Sequence, residues 1–501
     1  MITIQDELRA IGYLALIEMF HIESLPHYRC SYVAKRGQRR TSKENAHEVH
    51  VYPKGYSLKD ENDPMQHLEF ALKHEGVNLL LLKAIFHYLD ARQIEAFVKA
   101  QPTGKHARTI WYLYETLNQV VLNLPPVKRG SYFNVLDPKK YYTCTSIPSP
   151  RHRINDNFLG HPSFCPIVRR TDLLNSFEKK NLPRIAMEMV REYDPLVIGR
   201  AMRFLYTKET MSSYEIEREL PDKKRVARFV ELLKEAENLK SLNKEKLIQL
   251  QNVTVDPRFA DSDYRITQNY VGELPNLYSQ KLHYISPKPH DVRAMMEGLL
   301  FSLERMLKSG VHPVVTAAAV SFGFVFIHPF EDGNGRLHRF FIHHILSKSG
   351  FTPEGVIFPV SAVMLKNRRR YDEILESVSE PLMKLITDYE LDEEGELTVT
   401  GETAEFYQYP DYTVMAEYLF SCVEETIETD FKKELEYIAN YDRIKEGIQN
   451  VVDMPDKKID LFIKMTMQNE GSLSPKKRKT HFSMLEEEEI DQLENLVKEV
   501  L

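Results

Sequence analysis

The segment from Pro313 to Ile327 constrains the fold of this chain more than any other. It reads Pro-Val-Val-Thr-Ala-Ala-Ala-Val-Ser-Phe-Gly-Phe-Val-Phe-Ile, which is apolar on every side of a helix. Such a helix is stable only where other elements cover its whole surface. It is too short to cross a bilayer, which takes about 18 apolar residues. The segment therefore predicts the central helix of a helical bundle.

Patterns on both sides of this segment supply its partners. An apolar stripe with helical spacing comes before it, at Val292, Met295, Met296, Leu299 and Leu303. A second helix is predicted from Arg336 to Ser349, because Gly350 is a good C-cap. Two short extended pieces between residues 264 and 290, joined by a Gly-Glu-Leu-Pro turn, predict a β-hairpin. The predicted fold class is mainly α, a helical bundle with one hairpin.

The rest of the chain divides around this bundle. Residues 1–195 contain repeated proline-rich turns between short helical patterns and are predicted to form a loop-rich, partly helical region. Residues 196–392 are strongly helical and contain the bundle. An acidic linker leads into residues 393–501, which are predicted to form a further helical region. A chain of 501 residues is long enough for two or three such domains.

Composition excludes several classes of protein. The formal net charge of -7 argues against a nucleic-acid partner and against an anionic membrane surface. Neither a zinc site nor a disulfide framework is indicated by the scattered cysteines Cys30, Cys144, Cys165 and Cys422. The sequence shows no signal-peptide pattern at its start and no membrane-spanning segment. We therefore expect a cytoplasmic protein.

Residues 328–339 read His-Pro-Phe-Glu-Asp-Gly-Asn-Gly-Arg-Leu-His-Arg and carry the chemistry. Glycines at 333 and 335 allow the backbone to adopt positive φ and to approach a ligand closely. A helix starts directly afterwards, so its free N–H groups and the positive end of its dipole point at the same place. This arrangement predicts a phosphate-binding nest.

Side chains around the nest complete a nucleotide site. Asp332 is a hard oxygen ligand suited to Mg²⁺, and Arg336 and Arg339 lie three residues apart on the following helix, where they can bind phosphate oxygens. His328, at the end of the apolar helix, is able to take a proton from an attacking hydroxyl group. The alternative is a plain glycine turn with a core histidine, and the many specified positions within twelve residues argue against it.

This segment resembles the signature of the Fic (Fido) family, His-x-Phe-x-Asp/Glu-Gly-Asn-Gly-Arg-x-x-Arg, at every specified position. Residues 264–292 are similar to the family's flap hairpin and the Pro-x-Pro-His-x-Val that follows it. Residues 366–371, Lys-Asn-Arg-Arg-Arg-Tyr, resemble the helix after the motif. The resemblance implies a Fic-type helical core with a hairpin flap that clamps the target segment by strand addition.

The resemblance also implies a role for each motif position. His328 is the general base, and Asp332 is the Mg²⁺ ligand. The other motif residues bind the phosphates of ATP: Gly333, Asn334 and Gly335 as the nest, and Arg336 and Arg339 as clamps, with Arg339 nearest the γ-phosphate. Flap residues Lys281, Leu282, His283 and Tyr284 border nucleotide and target, and Tyr371 is a neighbour of the adenine.

Many members of the family carry an inhibitory helix with the pattern Ser/Thr-x-x-x-Glu-Gly/Asn. Ser213 and Glu217 fit that spacing here, which predicts an inhibitory helix near residues 210–235 whose glutamate pairs with Arg339. Arg218 replaces the family's Gly or Asn. The spacing alone is weak, because Thr398 and Glu402 satisfy it too. An N-capping serine and an exposed glutamate are the alternative reading of Ser213 and Glu217.

The sequence therefore predicts a protein adenylyltransferase that moves AMP from ATP, with Mg²⁺, to a Ser, Thr or Tyr hydroxyl of a target protein and is restrained by Glu217. Two alternatives stay open. One is removal of AMP or transfer of another phosphate-linked group, and the other is a regulator that only senses nucleotide. The target is not identified by the sequence, and both self-modification and a homodimer stay open.

Overall fold

The structure, a computed structural model, describes residues 8–500 except 24–26, 45–46, 240, 277–278 and 393. Helices account for most of its elements, and the sheets are small, so the predicted mainly α class is confirmed. The helices before the hairpin are α1 (Tyr13–Phe20), α2 (Pro64–His74), α3 (Leu79–Tyr88), α4 (Ala91–Ala100), α5 (Lys105–Asn118), α6 (Asp172–Lys180), α7 (Leu182–Glu192), α8 (Pro195–Ile216), α9 (Lys223–Glu235) and α10 (Lys244–Thr254).

The helices after the hairpin form the centre of the molecule and its C-terminal part. They are α11 (Pro289–Lys308), α12 (Pro313–Ile327), α13 (Asn334–Lys348), α14 (Val360–Lys366), α15 (Arg368–Met383), α16 (Ala404–Gln408), α17 (Thr413–Glu425), α18 (Lys432–Val451), α19 (Asp456–Met467), α20 (Pro475–His481) and α21 (Glu487–Val500). A π-helical turn, Thr426–Phe431, joins α17 to α18. Within the described part of the chain, no helix is both long enough and apolar enough to span a bilayer.

The strands form four small sheets. They are β1 (Leu8–Ile11), β2 (Arg29–Ala34), β3 (Arg40–Glu44), β4 (His47–Tyr52), β5 (Phe133–Asn134), β6 (Ile147–Ser149), β7 (Ile154–Asp156), β8 (Tyr270–Asn276), β9 (Ser279–Ile285), β10 (Tyr389–Leu391) and β11 (Leu397–Val399). The sheet orders are β1-β2-β4-β3, β5-β7-β6, β8-β9 and β10-β11. Among the named strands of the described residues, β2-β4 and β5-β7 pair in parallel and the other pairs are antiparallel.

Helix α12 is the centre of the bundle, as its composition predicted. Every one of its residues except Pro313 and Val325 is buried, and it packs against α11, α13 and α17. Phe164, from the segment before α6, lies so close that a Cβ on Gly323 would be 2.4 Å from its ring. Because Phe164 is fully buried, we estimate that its truncation to alanine costs about 3 to 5 kcal/mol.

Three large hydrophobic clusters stabilise the described part of the chain. The main one runs from Tyr142 to Ile438 and surrounds α12. A second fills the N-terminal region, and a third closes the helices from Ile444 onwards. The main cluster contains side chains from all three predicted regions, 1–195, 196–392 and 393–501. The boundaries between these regions stay a prediction.

The segment around residues 210–235 contains two helices. Helix α8 ends at Ile216 and α9 begins at Lys223, with Pro221 between them. Proline cannot donate an N–H to a helix interior, so it favours this break. Glu217 therefore lies at the C-terminal end of a helix, and Asp222 caps the next helix with its side chain.

The hairpin predicted between residues 264 and 290 is present. Strands β8 and β9 pair antiparallel, and their register shifts between Val271 and Gly272. Gly272 pairs with Leu282 and Val271 with Tyr284, so His283 is an extra residue, as in a β-bulge. The predicted Gly-Glu-Leu-Pro turn is wrong, because residues 272–275 lie inside β8.

Candidate functional site

The loop between α12 and α13 holds the predicted motif in one compact turn. Phe330 is fully buried and anchors the loop in the core. Asn334 accepts a hydrogen bond from the backbone N–H of Phe330 at 3.1 Å and donates one to its carbonyl at 2.7 Å. The side chain of Asn334 therefore shapes the loop, and only its backbone N–H is free to contribute to an anion nest.

His328 ends α12 with a left-handed backbone, φ 52°. Its Nδ1 lies 3.1 Å from the carbonyl of Val325, which can only accept, so Nδ1 carries the proton and Nε2 is left as the acceptor. Burial lowers the pKa of the ring from 6.5 to about 4, and the nearby cation of Arg265 adds to this effect. The imidazole is therefore neutral at pH 7, the form that a general base requires.

The N-terminus of α13 is open to an anion. Its N-cap, Gly333, has φ 88° and provides no side-chain cap, so the first N–H groups of the helix have no such partner. Gly335 follows, and a Cβ at that position would lie 2.0 Å from Oε1 of Glu217. A carboxylate thus already lies against the nest, in the space that the missing side chain leaves.

Arg336 is held by the chain's own acidic residues. Its guanidinium is 1% exposed, and Nη2 lies 2.5 Å from Oδ1 of Asp332 and 3.1 Å from Oε1 of Glu219. Nη1 donates to the carbonyl of Thr254 at 2.9 Å. Both acidic partners raise the pKa of this guanidinium against the effect of burial.

Arg339 is bound by both residues of the predicted inhibitory pattern. Its Nη2 lies 2.7 Å from Oε1 of Glu217, and its Nε donates to the hydroxyl of Ser213 at 2.7 Å. The guanidinium is 1% exposed, whereas the side chain of Glu217 is 31% exposed. Thr398 and Glu402, which share the spacing, lie elsewhere: Thr398 is in β11, and Glu402 is near Lys288.

A cavity of about 560 Å³ opens beside His328. Glu217, His283 and Tyr284 also line it. The Tyr284 hydroxyl donates to the carbonyl of Phe326. Two of the predicted flap residues thus face the same cavity as the histidine.

The other three predicted contacts lie differently. Leu282 packs partly buried against the main cluster, and Lys281 pairs with Glu273 through the strand backbone, its side chain lying outside the described residues. Tyr371 is buried and does not line the cavity. Burial raises its pKa to about 12, and its hydroxyl lies near Arg339.

Sequence reasoning missed several residues of this site. Arg368, Asp372 and Leu375 line the cavity from α15, one helical face away from Tyr371. Their i, i+4, i+7 spacing was a signal that could have identified them. Glu219, which pairs with Arg336, had no comparable signal. Glutamates stand at 215, 217 and 219, and nothing in the sequence distinguishes the third from the other two.

The donor atoms at Asp332 fit one divalent cation bridging to phosphates. Its Oδ1 accepts from the Gly333 N–H and from Arg336, which leaves Oδ2 outward on a side chain that is 45% exposed. Across the described residues, no group of three or more His, Cys, Asp or Glu side chains forms a metal cluster. Mg²⁺ commonly binds through one carboxylate together with substrate phosphates and water, which matches this arrangement.

Fold and site together define a helical protein with a glycine-rich loop at a helix N-terminus and a neutral histidine at one cavity. Residues 241–346 match the Fic/DOC family, so this part of the chain is a Fic/DOC domain, and the resemblance inferred from the motif is confirmed.

Curated relatives carry the same domain. They include the protein adenylyltransferase Fic of Drosophila grimshawi, 31% identical over 138 residues, and that of Drosophila melanogaster, 32% identical over 138 residues. The match covers 27% of this chain and 25% and 24% of those proteins, so the chain spans about a quarter of the length of these relatives.

Solved structures with Fic domains are also similar. A Fic domain containing signalling protein from Bacteroides thetaiotaomicron is 18% identical, with 51% of this chain and 96% of that chain covered and a TM-score of 0.37. A Fic family protein from Desulfovibrio desulfuricans is 16% identical, with 63% and 86% covered and a TM-score of 0.36.

Proposed function

We propose that this protein transfers AMP from ATP to a Ser, Thr or Tyr hydroxyl of a target protein. One observation carries the proposal: His328, neutral and with Nε2 unprotonated, lines the same cavity as Glu217, whose carboxylate covers the anion nest of α13. A base and a phosphate site thus lie side by side. The names of the curated relatives support the same reaction.

The chemistry requires little more than these residues. Nε2 of His328 takes the hydroxyl proton while the oxygen forms a bond to the α-phosphorus, and the bond to the bridging oxygen of the β-phosphate breaks. The N–H groups of α13, with Arg336 and Arg339, hold the phosphates and the departing pyrophosphate. A Mg²⁺ ion at Asp332 would supply further charge neutralisation for those phosphates.

We further propose that Glu217 restrains this transfer. Its carboxylate competes with a γ-phosphate both for Nη2 of Arg339 and for the space over Gly335. Removing the side chain frees a cation that is 1% exposed, together with the N-terminus of a helix. The bound pose of ATP then shifts towards transfer, because only one anion can occupy the site.

The test compares three proteins: the parent, Glu217→Gly and Glu217→Gly with His328→Ala. Each is incubated with Mg²⁺, cell extract and ATP labelled at the α-phosphate. We expect weak labelling by the parent, at least about tenfold more by Glu217→Gly, and none above background when His328 is also replaced.

The controls separate the alternatives. ATP labelled at the γ-phosphate leaves no label on protein if AMP is the transferred group. Equal labelling by the parent and Glu217→Gly would contradict the proposed inhibitory role of Glu217. Labelling that persists without His328 would contradict its role as the general base. Extract proteins that lose AMP instead of gaining it would favour the reverse reaction.

A further inference from the structure

Arg265 is a buried cation that forms no ion pair with any carboxylate in the described part of the chain. It is 4% exposed, and burial lowers its pKa to about 10, so it remains charged at neutral pH. Burying an unpaired charge is expensive unless its donors are satisfied. This guanidinium is satisfied by backbone carbonyls alone.

Those carbonyls belong to two parts of the chain, the end of α12 and the two ends of the β8-β9 hairpin. Nε donates to the carbonyl of His328 at 2.7 Å, and Nη2 reaches that of Ile327 at 3.5 Å. Nη1 donates to Thr267 at 2.8 Å, just before β8, and Nη2 donates to Pro287 at 2.5 Å, just after β9. One planar group thus joins both ends of the hairpin to the catalytic loop.

The position of this cation also suits the end of α12. The last carbonyls of a helix lack partners within it, and a positive charge there is stabilising. His328 has a left-handed backbone, so the chain turns sharply at this point. The backbone N–H of Arg265 adds a bond to the carbonyl of Pro329 at 2.9 Å. The whole turn behind the histidine ring is therefore attached to Arg265.

We propose that Arg265 is a positioning residue, which locks the roots of the β8-β9 hairpin onto the backbone of His328. A target segment held by the hairpin then meets Nε2 at a fixed distance. The effect on rate rests on the proposed function, whereas the effect on the hairpin does not. Lysine keeps the charge but cannot direct donors at four carbonyls, so Arg265→Lys isolates the geometry.

The experiment uses the full chain with Glu217→Gly as background. Arg265→Lys is compared with Arg305→Lys, because Arg305 of α11 is half-buried and donates to the carbonyls of Asp156 and Gly160, away from the site. Unlike Arg265, it also pairs with the carboxylate of Asp156. Amide hydrogen exchange is measured over residues 266–276 and 279–287. We expect faster exchange there in Arg265→Lys only, with α13 unchanged.

Kinetics give the second measurement. In Arg265→Lys we expect kcat for AMP transfer to fall by on the order of 100-fold, the effect of a misplaced reacting group, while KM for ATP stays unchanged. Exchange that is unchanged in the hairpin, or that rises throughout the molecule, overturns the positioning role. If no variant transfers AMP, the proposed function fails, and the hydrogen exchange still decides the role of Arg265.

Discussion

Arg218 adopts a backbone conformation that favours glycine, directly after the glutamate that covers Arg339. Its φ is 59°, and the N–H of Glu219 bonds back to the carbonyl of Tyr214 at 3.0 Å. This is the closing hydrogen bond of a helix C-terminus whose next residue is left-handed. A Gly or Asn at this position, as in the family pattern, meets that requirement with less strain. The arginine therefore stores strain directly after Glu217, the residue that we propose restrains transfer.

Replacing Arg218 is expected to act mainly through this strain. Arg218→Gly should raise the free energy of unfolding by about 1 kcal/mol relative to Arg218→Ala, because alanine keeps the left-handed penalty. The better-held loop should also lower AMP transfer relative to Arg218→Ala. Denaturant unfolding and labelled-ATP assays measure both effects.

The comparison with alanine matters because Arg218 lines the cavity. Both variants remove its side chain, so the difference between them reports only the backbone. Equal stability of the two variants would contradict the strain at this position. Gln119→Gly offers a remote reference, since Gln119 ends α5 with φ 54°.

At the scale of elements, α8 and α13 are joined by a row of buried polar pairs. Glu209, Ser213 and Glu217 follow one another at four-residue spacing on α8 or at its end. Ser213 and Glu217 bind Arg339, and Glu209 lies 2.6 Å from Nε2 of His343, one turn further along α13. The Glu217 carboxylate is therefore held in place by the register of two helices.

Removing the Glu209–His343 pair should weaken the pair between Glu217 and Arg339. Glu209 is fully buried and also accepts from the backbone N–H of Ser361 at 2.8 Å. Glu209→Ala leaves these donors without their acceptor, which should cost about 1 to 3 kcal/mol of unfolding free energy for each unsatisfied donor. It should also raise AMP transfer by the parent. Thermal unfolding and labelled-ATP assays would measure the two effects.

Two controls accompany this prediction. Glu215→Ala removes an exposed glutamate of the same helix and should change neither quantity. In the Glu217→Gly background, Glu209→Ala should add no further transfer, because the two changes act on one contact. A destabilised Glu209→Ala protein with parental transfer would show that the helix register does not hold the glutamate.

At the scale of the whole molecule, α18 joins two hydrophobic clusters. Its Leu435 and Ile438 belong to the main cluster, and its Ile444 and Ile448 belong to the C-terminal cluster that α19 and α21 cover. The C-terminal helices thus pack on the far half of a helix whose near half supports the catalytic bundle. None of their residues lines the cavity beside His328.

A chain ending after Val452 should keep its chemistry and lose solubility. In the Glu217→Gly background we expect AMP transfer close to that of the full chain, because the main cluster is intact. Exposed Ile444 and Ile448 should cause self-association, which size-exclusion chromatography detects. Ile444→Lys with Ile448→Glu should restore the monodisperse form. A soluble truncated protein without transfer would contradict this separation.

Local features were readable from the sequence. The α12 helix, the nest and the histidine follow from consecutive residues, since a helix that is apolar all round and a glycine turn before a helix depend on short-range sterics. The hairpin was found too, although the residues predicted to form its turn belong to strand β8. Its bulge at His283 depends on pairing that composition does not encode.

Distant contacts were decided only by the tertiary structure. Glu217 and Arg339 are 122 positions apart, and the same spacing at Thr398 and Glu402 leads to no such pair. The acceptors of Arg265 had no counterpart in any periodic pattern. The helical spacing of Arg368, Asp372 and Leu375 was visible, but it did not show that this face of α15 lines the cavity. Sequence alone determined which chemical groups this protein has in the loop between α12 and α13. Packing determined which of them meet, because a contact between remote residues depends on how whole helices pack together.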